Sequence, residues 1–191
     1  MVTPAPADMV SELSATPTGL DRDQLIRAYK LMYMSRRIDD REILLKRQNK
    51  IFFQVSAAGH EATQIAAGMA SRSRSDWYFP YYRDRALALS LGVTPIDMFL
   101  QAVGSGSDRA SGGRQMPSHW SSPELHIFTG SSPTGTQFLQ AAGCAQAASY
   151  VNAESDEVTL VFTGEGATSE GEFWESLNIA CLDRLPLLYV V

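Results

Sequence analysis

Cysteine is scarce. The two present in 191 residues, Cys144 and Cys181, lie far apart and outside any Cys-x-x-Cys spacing, which excludes a disulfide framework and gives no support to a structural zinc site. A reduced, cytoplasmic setting is the expectation. Histidine is also sparse: His60, His119 and His126 are not spaced as ligands of one metal ion. Gly, Ser, Gln or a charged residue interrupts every apolar stretch before the ~18 residues of a membrane span, so no transmembrane helix is expected. The first 19 residues are rich in Pro, Ala, Thr and Ser, carry Asp8 and Glu12, and have neither a basic nor an apolar region. Secretory and transit signals do not fit, and residues 1–20 read as a flexible N-terminal tail.

Positive charge is missing from the second half. Residues 1–100 hold 13 Lys and Arg against 11 Asp and Glu, residues 101–191 only 3 against 10, and the whole chain carries −5. Without a basic stripe interleaved with aromatics, nucleic-acid binding is disfavoured, because phosphate neutralisation demands clustered cations. The one basic group, Arg36, Arg37, Arg41, Lys46 and Arg47, alternates with Asp39, Asp40 and Glu42 and reads as a solvated helix face.

A composition of 45% hydrophobic and 19% charged residues suits one folded unit over residues 21–191. Asp21 is an N-cap candidate for an amphipathic helix over 24–48. A second helix runs from His60 to about residue 69, with Ala62, Ala66, Ala67 and Gly68 suited to close packing. Helices over 87–91 and from Thr94-Pro95 precede a Gly-, Ser- and Pro-rich loop, 104–122, whose large side chains between Arg114 and Trp120 make it more than a spacer. An alanine-rich helix over 138–151, with Gly143 inside it, can also approach a neighbouring backbone. Residues 157–162 read as a buried parallel strand, 164–166 as a tight turn, 170–181 as a helix and 187–191 as a second buried strand. The result is a βαβ unit and an α/β fold with a mostly parallel sheet flanked by helices.

Strand-to-helix turns in such sheets bind phosphorylated ligands, but the two familiar nucleotide signatures fail here. The dinucleotide fingerprint lacks its third glycine, replaced by Ser169. The Walker A loop lacks its lysine, replaced by Glu172. Residues 164–182 contain Glu165, Glu170, Glu172 and Glu175 and no Lys or Arg, so a bare phosphate would be repelled, and helix-terminal amides offset only ~0.3–1 kcal/mol. A hard divalent cation resolves the conflict if Glu165 donates a carboxylate oxygen while phosphate oxygens bind the same ion. For Glu170, Glu172 and Glu175 the favoured reading is an acidic helix start that complements the macrodipole, and that reading stays open for Glu165.

The segment 164–173, with Asn178 following, resembles the opening half of the thiamine diphosphate motif in the alpha subunit of 2-oxo acid dehydrogenases. Three further segments match in order: Pro80-Tyr81-Tyr82-Arg83, 113–119 and 131–137. The resemblance covers about residues 21–191. The Arg-Gln-Met-Pro sequence at 114–117 and a Glu at 165 are similar to the branched-chain (2-oxoisovalerate) type rather than the pyruvate type. It implies a thiamine-diphosphate-binding fold of which residues 21–191 are the N-terminal, diphosphate-anchoring part, and oxidative decarboxylation of a 2-oxo acid with acyl transfer to lipoyl.

By the same resemblance, Glu165 binds Mg²⁺, and Gly164, Gly166 and Ala167 line the diphosphate. Arg83 pairs with the diphosphate, and Tyr82 contacts cofactor or substrate. Ser132 and Thr134 flank the aminopyrimidine, Gln115 and His119 lie near the substrate channel, and Ser131, Pro133, Thr136 and Gln137 match a loop that binds K⁺ in some relatives. The implied partners are a beta-type subunit, in a heterotetramer, or a fused beta domain, together with the lipoyl-bearing acyltransferase.

From the residues alone, Tyr82 could be core, Arg83 could pair with Asp84, and 131–136 could merely cap the following helix. The second half of the motif is not in the chain, and an apolar strand at 187–191 has no crossover helix after it, so the sequence reads as a fragment, incomplete at the C-terminus and inactive alone. Alternatives kept open are a transketolase-like or pyruvate-type enzyme and a non-catalytic nucleotide-binding or assembly module.

Overall fold

A computed structural model describes residues 19–151 and 154–191. The expected tail falls on residues 1–18, outside the described residues, and on Gly19 and Leu20. Helix α1 (Arg22–Arg47) begins where the sequence predicts. The Asp21 carboxylate accepts from the Gln24 amide at 2.8 Å while the Gln24 side chain accepts from the Asp21 amide at 2.9 Å, a reciprocal cap that satisfies two otherwise orphaned donors. Thr94 and Asp97 form the same device at the start of α4 (Pro95–Ala102). Between them lie α2 (Glu61–Ala70), β1 (Trp77–Phe79) and α3 (Arg85–Leu91). Then follow α5 (Thr136–Val151), β2 (Thr159–Phe162), α6 (Gly171–Asp183) and β3 (Leu187–Val190), with a 3-10 turn over Glu165–Ser169 joining β2 to α6.

The three strands are parallel in the order β1-β2-β3, with Tyr78 opposite Leu160 and Val161 opposite Tyr189. Alternation along the strands divides the core in two. Tyr78, Leu160 and Phe162 pack with Ile38 of α1, Leu87 of α3 and Met98 of α4. Phe79 and Val161 face Phe138 and Ala141 of α5 and Phe173 of α6. Helices therefore cover both faces, as an α/β sheet requires, and the expected βαβ unit is present.

Three expectations change in detail. Strand β3 is only half-buried, with Leu188 50% exposed, because β2 is its one strand neighbour among the described residues. The close approach of α2 occurs at Gly68, where an added Cβ would lie 1.9 Å from the Ser90 hydroxyl of α3, whereas Ala62 and Ala66 are exposed. Gly143 faces open space, so α5 packs through Ala141, Ala142 and Ala145 instead.

The largest correction concerns α1. Its supposed solvated face contains two buried acids, Asp39 and Glu42. Both bond Arg85, itself 1% exposed, Asp39 accepting from Nη1 at 2.9 Å and Glu42 from Nη2. Burial pushes the Glu42 carboxyl up to about 7 although Arg85 pulls it down. Both cysteines are free, and among the described residues no helix is long and apolar enough to cross a membrane.

Candidate functional site

At the carboxyl end of β2 the chain leaves the sheet through Thr163 and Gly164 into the 3-10 turn that carries Glu165, Gly166 and Ala167. This edge opens into a cleft of about 340 Å³ lined by residues 163–167, 131–134, 137, 81–83 and 60. Residues from three of the four motif segments thus meet in one place. Clefts at the carboxyl ends of parallel strands are where α/β sheets bind ligands.

Arg83 is the one guanidinium lining this cleft, and it has no carboxylate partner among the described residues. Its Nη1 donates to the Ser56 carbonyl at 2.8 Å, and its guanidinium carbon lies 5.1 Å from the centre of the Tyr82 ring. The local pair with Asp84 does not form. Asp84 turns inward, accepting from the Tyr81 amide at 2.8 Å and the Gln64 side chain at 3.0 Å, and burial pushes its carboxyl well above the usual range. Tyr82 is half-buried on the cleft wall rather than core. Glu165 is exposed toward the cleft, and the Ala167 amide donates to the Gly164 carbonyl at 3.0 Å, which commits it to the turn.

Ser132 Oγ shares a 2.8 Å hydrogen bond with Nε2 of His119, whose Nδ1 faces the Pro117 carbonyl at 3.1 Å. His119 is buried just behind the cleft wall, and Gln115 stands further back, donating to the Gly130 carbonyl at 3.2 Å. Thr136 donates to the Pro133 carbonyl at 3.0 Å, and Gln137 to the Phe162 carbonyl at 3.2 Å, tying the loop to β2. Ser131, Ser132, Pro133 and Thr134 remain on the cleft rim.

The loop holding Gln115 is folded back on itself at Gly113, whose φ is +76° and where an added Cβ would lie 2.4 Å from the Gly104 carbonyl oxygen. Gly113→Ala is expected to destabilise the protein by ~1–3 kcal/mol through left-handed strain and overpacking. The midpoint of urea unfolding checks this, and an unchanged midpoint would contradict the close loop crossing.

Two cleft residues escaped the sequence reading of the site. Burial raises the Tyr81 phenol; a Cβ added at Gly164 would lie 3.9 Å from its ring, which meets His60 edge-on at 6.5 Å between ring centres. His60, by its sequence a polar residue at a helix start, occupies the N-cap of α2 without a side-chain cap bond. His126 is structural, stacked on Trp77 at 4.2 Å. A larger cavity of about 470 Å³, lined in part by Gln101, Trp120 and Leu125, shares no residue with the motifs.

The fit to a metal-bridged diphosphate rests on donor chemistry. No group of three or more His, Cys, Asp or Glu among the described residues could hold a metal alone, so Glu165 can serve only as one ligand beside others. That matches the way Mg²⁺ is bound through one or two carboxylates plus phosphate and water. Arg83 supplies the complementary fixed cation.

A family model described as "Dehydrogenase E1 component" matches residues 29–191. Among curated proteins, the 2-oxoisovalerate dehydrogenase subunit alpha of Bacillus subtilis (strain 168) is 37% identical over 172 residues, 90% of this chain and 52% of that protein. The 3-methyl-2-oxobutanoate dehydrogenase subunit alpha of Mycobacterium tuberculosis (strain ATCC 25618 / H37Rv) is 33% identical over 172 residues, 90% of this chain and 43% of that protein. The mitochondrial 2-oxoisovalerate dehydrogenase subunit alpha of Homo sapiens is 33% identical over 171 residues, 89% of this chain and 37% of that protein. The chain thus spans about half, or less, of the length of these relatives.

Proposed function

Because the chain belongs to the dehydrogenase E1 component family, we propose that it forms the diphosphate-anchoring alpha portion of a branched-chain 2-oxo acid dehydrogenase. In this reading residues 21–191 are the N-terminal part of the thiamine-diphosphate-binding domain. The observation that carries it is the convergence of Tyr82 and Arg83, the 131–134 segment and the Gly164 to Ala167 turn on one cleft. The names of the relatives favour 2-oxoisovalerate over pyruvate, and neither a transketolase-like enzyme nor a nucleotide-binding or assembly module is favoured by the family match.

When bound, thiamine diphosphate supplies the electron sink that lets CO₂ leave. The chain's own residues bind and orient. Arg83 would hold the diphosphate through its planar fork of donors. Glu165 contributes a carboxylate to Mg²⁺, Gly164, Gly166 and Ala167 let the backbone come close, and Tyr82 closes the wall. Ser132 and Thr134 border the aminopyrimidine, with Ser132 oriented by His119. Gln115 sits deeper toward the substrate channel, and Ser131, Pro133, Thr136 and Gln137 are the K⁺ candidates. The partners are a beta-type subunit, in a heterotetramer, or a fused beta domain, and a lipoyl-bearing acyltransferase, in the cytoplasm.

The test is a substrate panel with the full-length protein in its native assembly. Turnover of 2-oxoisovalerate should require thiamine diphosphate and Mg²⁺ and exceed that of pyruvate by at least roughly tenfold, the discrimination that a few extra buried methyl groups supply. Equal use of pyruvate, or ketol transfer between sugar phosphates, would contradict the branched-chain assignment.

A further inference from the structure

Arg83 is held in an unusual way for an anion-binding guanidinium, and the holding leads to residues far from the motifs. Its backbone carbonyl accepts from the Gln64 side chain at 3.0 Å, and the other end of the same amide accepts from the Ala86 amide at 3.1 Å. Its side chain is held by the carbonyl of Ser56. A carbonyl is neutral, so this contact aims the guanidinium without cancelling the charge that an anion would meet.

Ser56 lies in a segment with no helix or strand, between α1 and α2, and such a segment does not place a carbonyl by itself. Asp39 of α1 does it. Its carboxylate, 2% exposed, accepts from the Ser56 hydroxyl, from the Gln54 side chain at 2.7 Å and from Arg85 at 2.9 Å. One buried acid therefore ties together the segment on which Arg83 leans and the residue two places after Arg83.

We propose that Asp39 and Ser56 are positioning residues for Arg83. Through the Ser56 hydroxyl, Asp39 fixes the Ser56 carbonyl, and that carbonyl presets the Arg83 guanidinium for the diphosphate. Preset donors bind without the ordering cost that a mobile arginine would incur. This inference rests on the reading that Arg83 meets the diphosphate.

The experiment measures the dissociation constant of thiamine diphosphate, at saturating Mg²⁺, for the full-length protein in its native assembly. The variants are Ser56→Ala, Ser56→Thr, Arg83→Ala and Ser56→Ala with Arg83→Ala. Ser56→Ala keeps the buried Asp39 to Arg85 pair and should weaken cofactor binding roughly 3- to 10-fold, the range of one net hydrogen bond. Ser56→Thr, which retains a hydroxyl, should restore it. In the Arg83→Ala background Ser56→Ala should have no further effect, a coupling that a merely structural role would not produce. Wild-type affinity in Ser56→Ala, or an undiminished loss in the Arg83→Ala background, overturns the positioning role while leaving the cleft assignment intact. Unchanged affinity in Arg83→Ala overturns both.

Discussion

Replacing Glu165 by alanine in the full-length protein is expected to lower Mg²⁺-dependent 2-oxo acid decarboxylation roughly 100-fold or more, since a direct ligand matters at least as much as the outer-shell partners whose loss costs ~10–100-fold. The reason is electrostatic. The turn after β2 carries acid and no base, Arg83 is the one guanidinium lining the cleft, and a diphosphate brings several negative charges. Without the carboxylate the metal is held only by whatever other ligands remain. Excess Mg²⁺ should therefore recover part of the loss, and Glu165→Asp, which keeps the charge on a shorter arm, should fall between the two. Full activity in Glu165→Ala at ordinary Mg²⁺ would remove Glu165 from the metal site.

The second large effect is on stability. Arg85→Met should destabilise the protein by about 3–5 kcal/mol, because Asp39 and Glu42 would stay buried without their counter-ion. For a chain of this size that corresponds to a fall in Tm of ~6–20 °C. Replacing all three residues by apolar ones of similar volume should recover much of it, since the pair's own desolvation cost disappears too.

The loss should also depend on pH. In the wild type Glu42 is already raised from 4.5 to about 7, so between those values the native state holds a proton that the unfolded chain has released. The contribution of this group to stability therefore falls as pH rises through the window. Arg85 opposes that shift, and without it the deficit of the variant should be larger at pH 8 than at pH 5.5. A Tm change below 2 °C at both pH values would contradict the buried network.

These two predictions also mark what was legible in the sequence. The place of Glu165 could be read because it is set locally: a carboxylate between two glycines, at a strand end, in a stretch without cations. The caps at Asp21 and Thr94 were legible for the same reason, being set by neighbours three residues away, and the βαβ unit because each of its strands and its helix carries its own local pattern. Arg85, Asp39 and Glu42 were not. Along α1 the acids alternate with arginines as on a solvated face, and the partner that draws them inward lies more than 40 residues away. Strand β3 is half-buried among the described residues, and an apolar run in the sequence does not say how many neighbours cover it. Gly143 and Gly68 sit in similar small-residue helices, yet only Gly68 faces another helix, a distinction that depends on how helices are rotated against their neighbours. The place of His60 and Tyr81 in the cleft likewise follows from tertiary packing.

The central claim is that the Glu165 carboxylate would be a ligand of the Mg²⁺ that accompanies the diphosphate. A structure of the full-length assembly loaded with thiamine diphosphate and Mg²⁺ tests it most directly. The account predicts a Glu165 oxygen about 2.0–2.1 Å from the ion. A Glu165 side chain pointing into solvent, with the metal coordinated entirely by other groups, would contradict it.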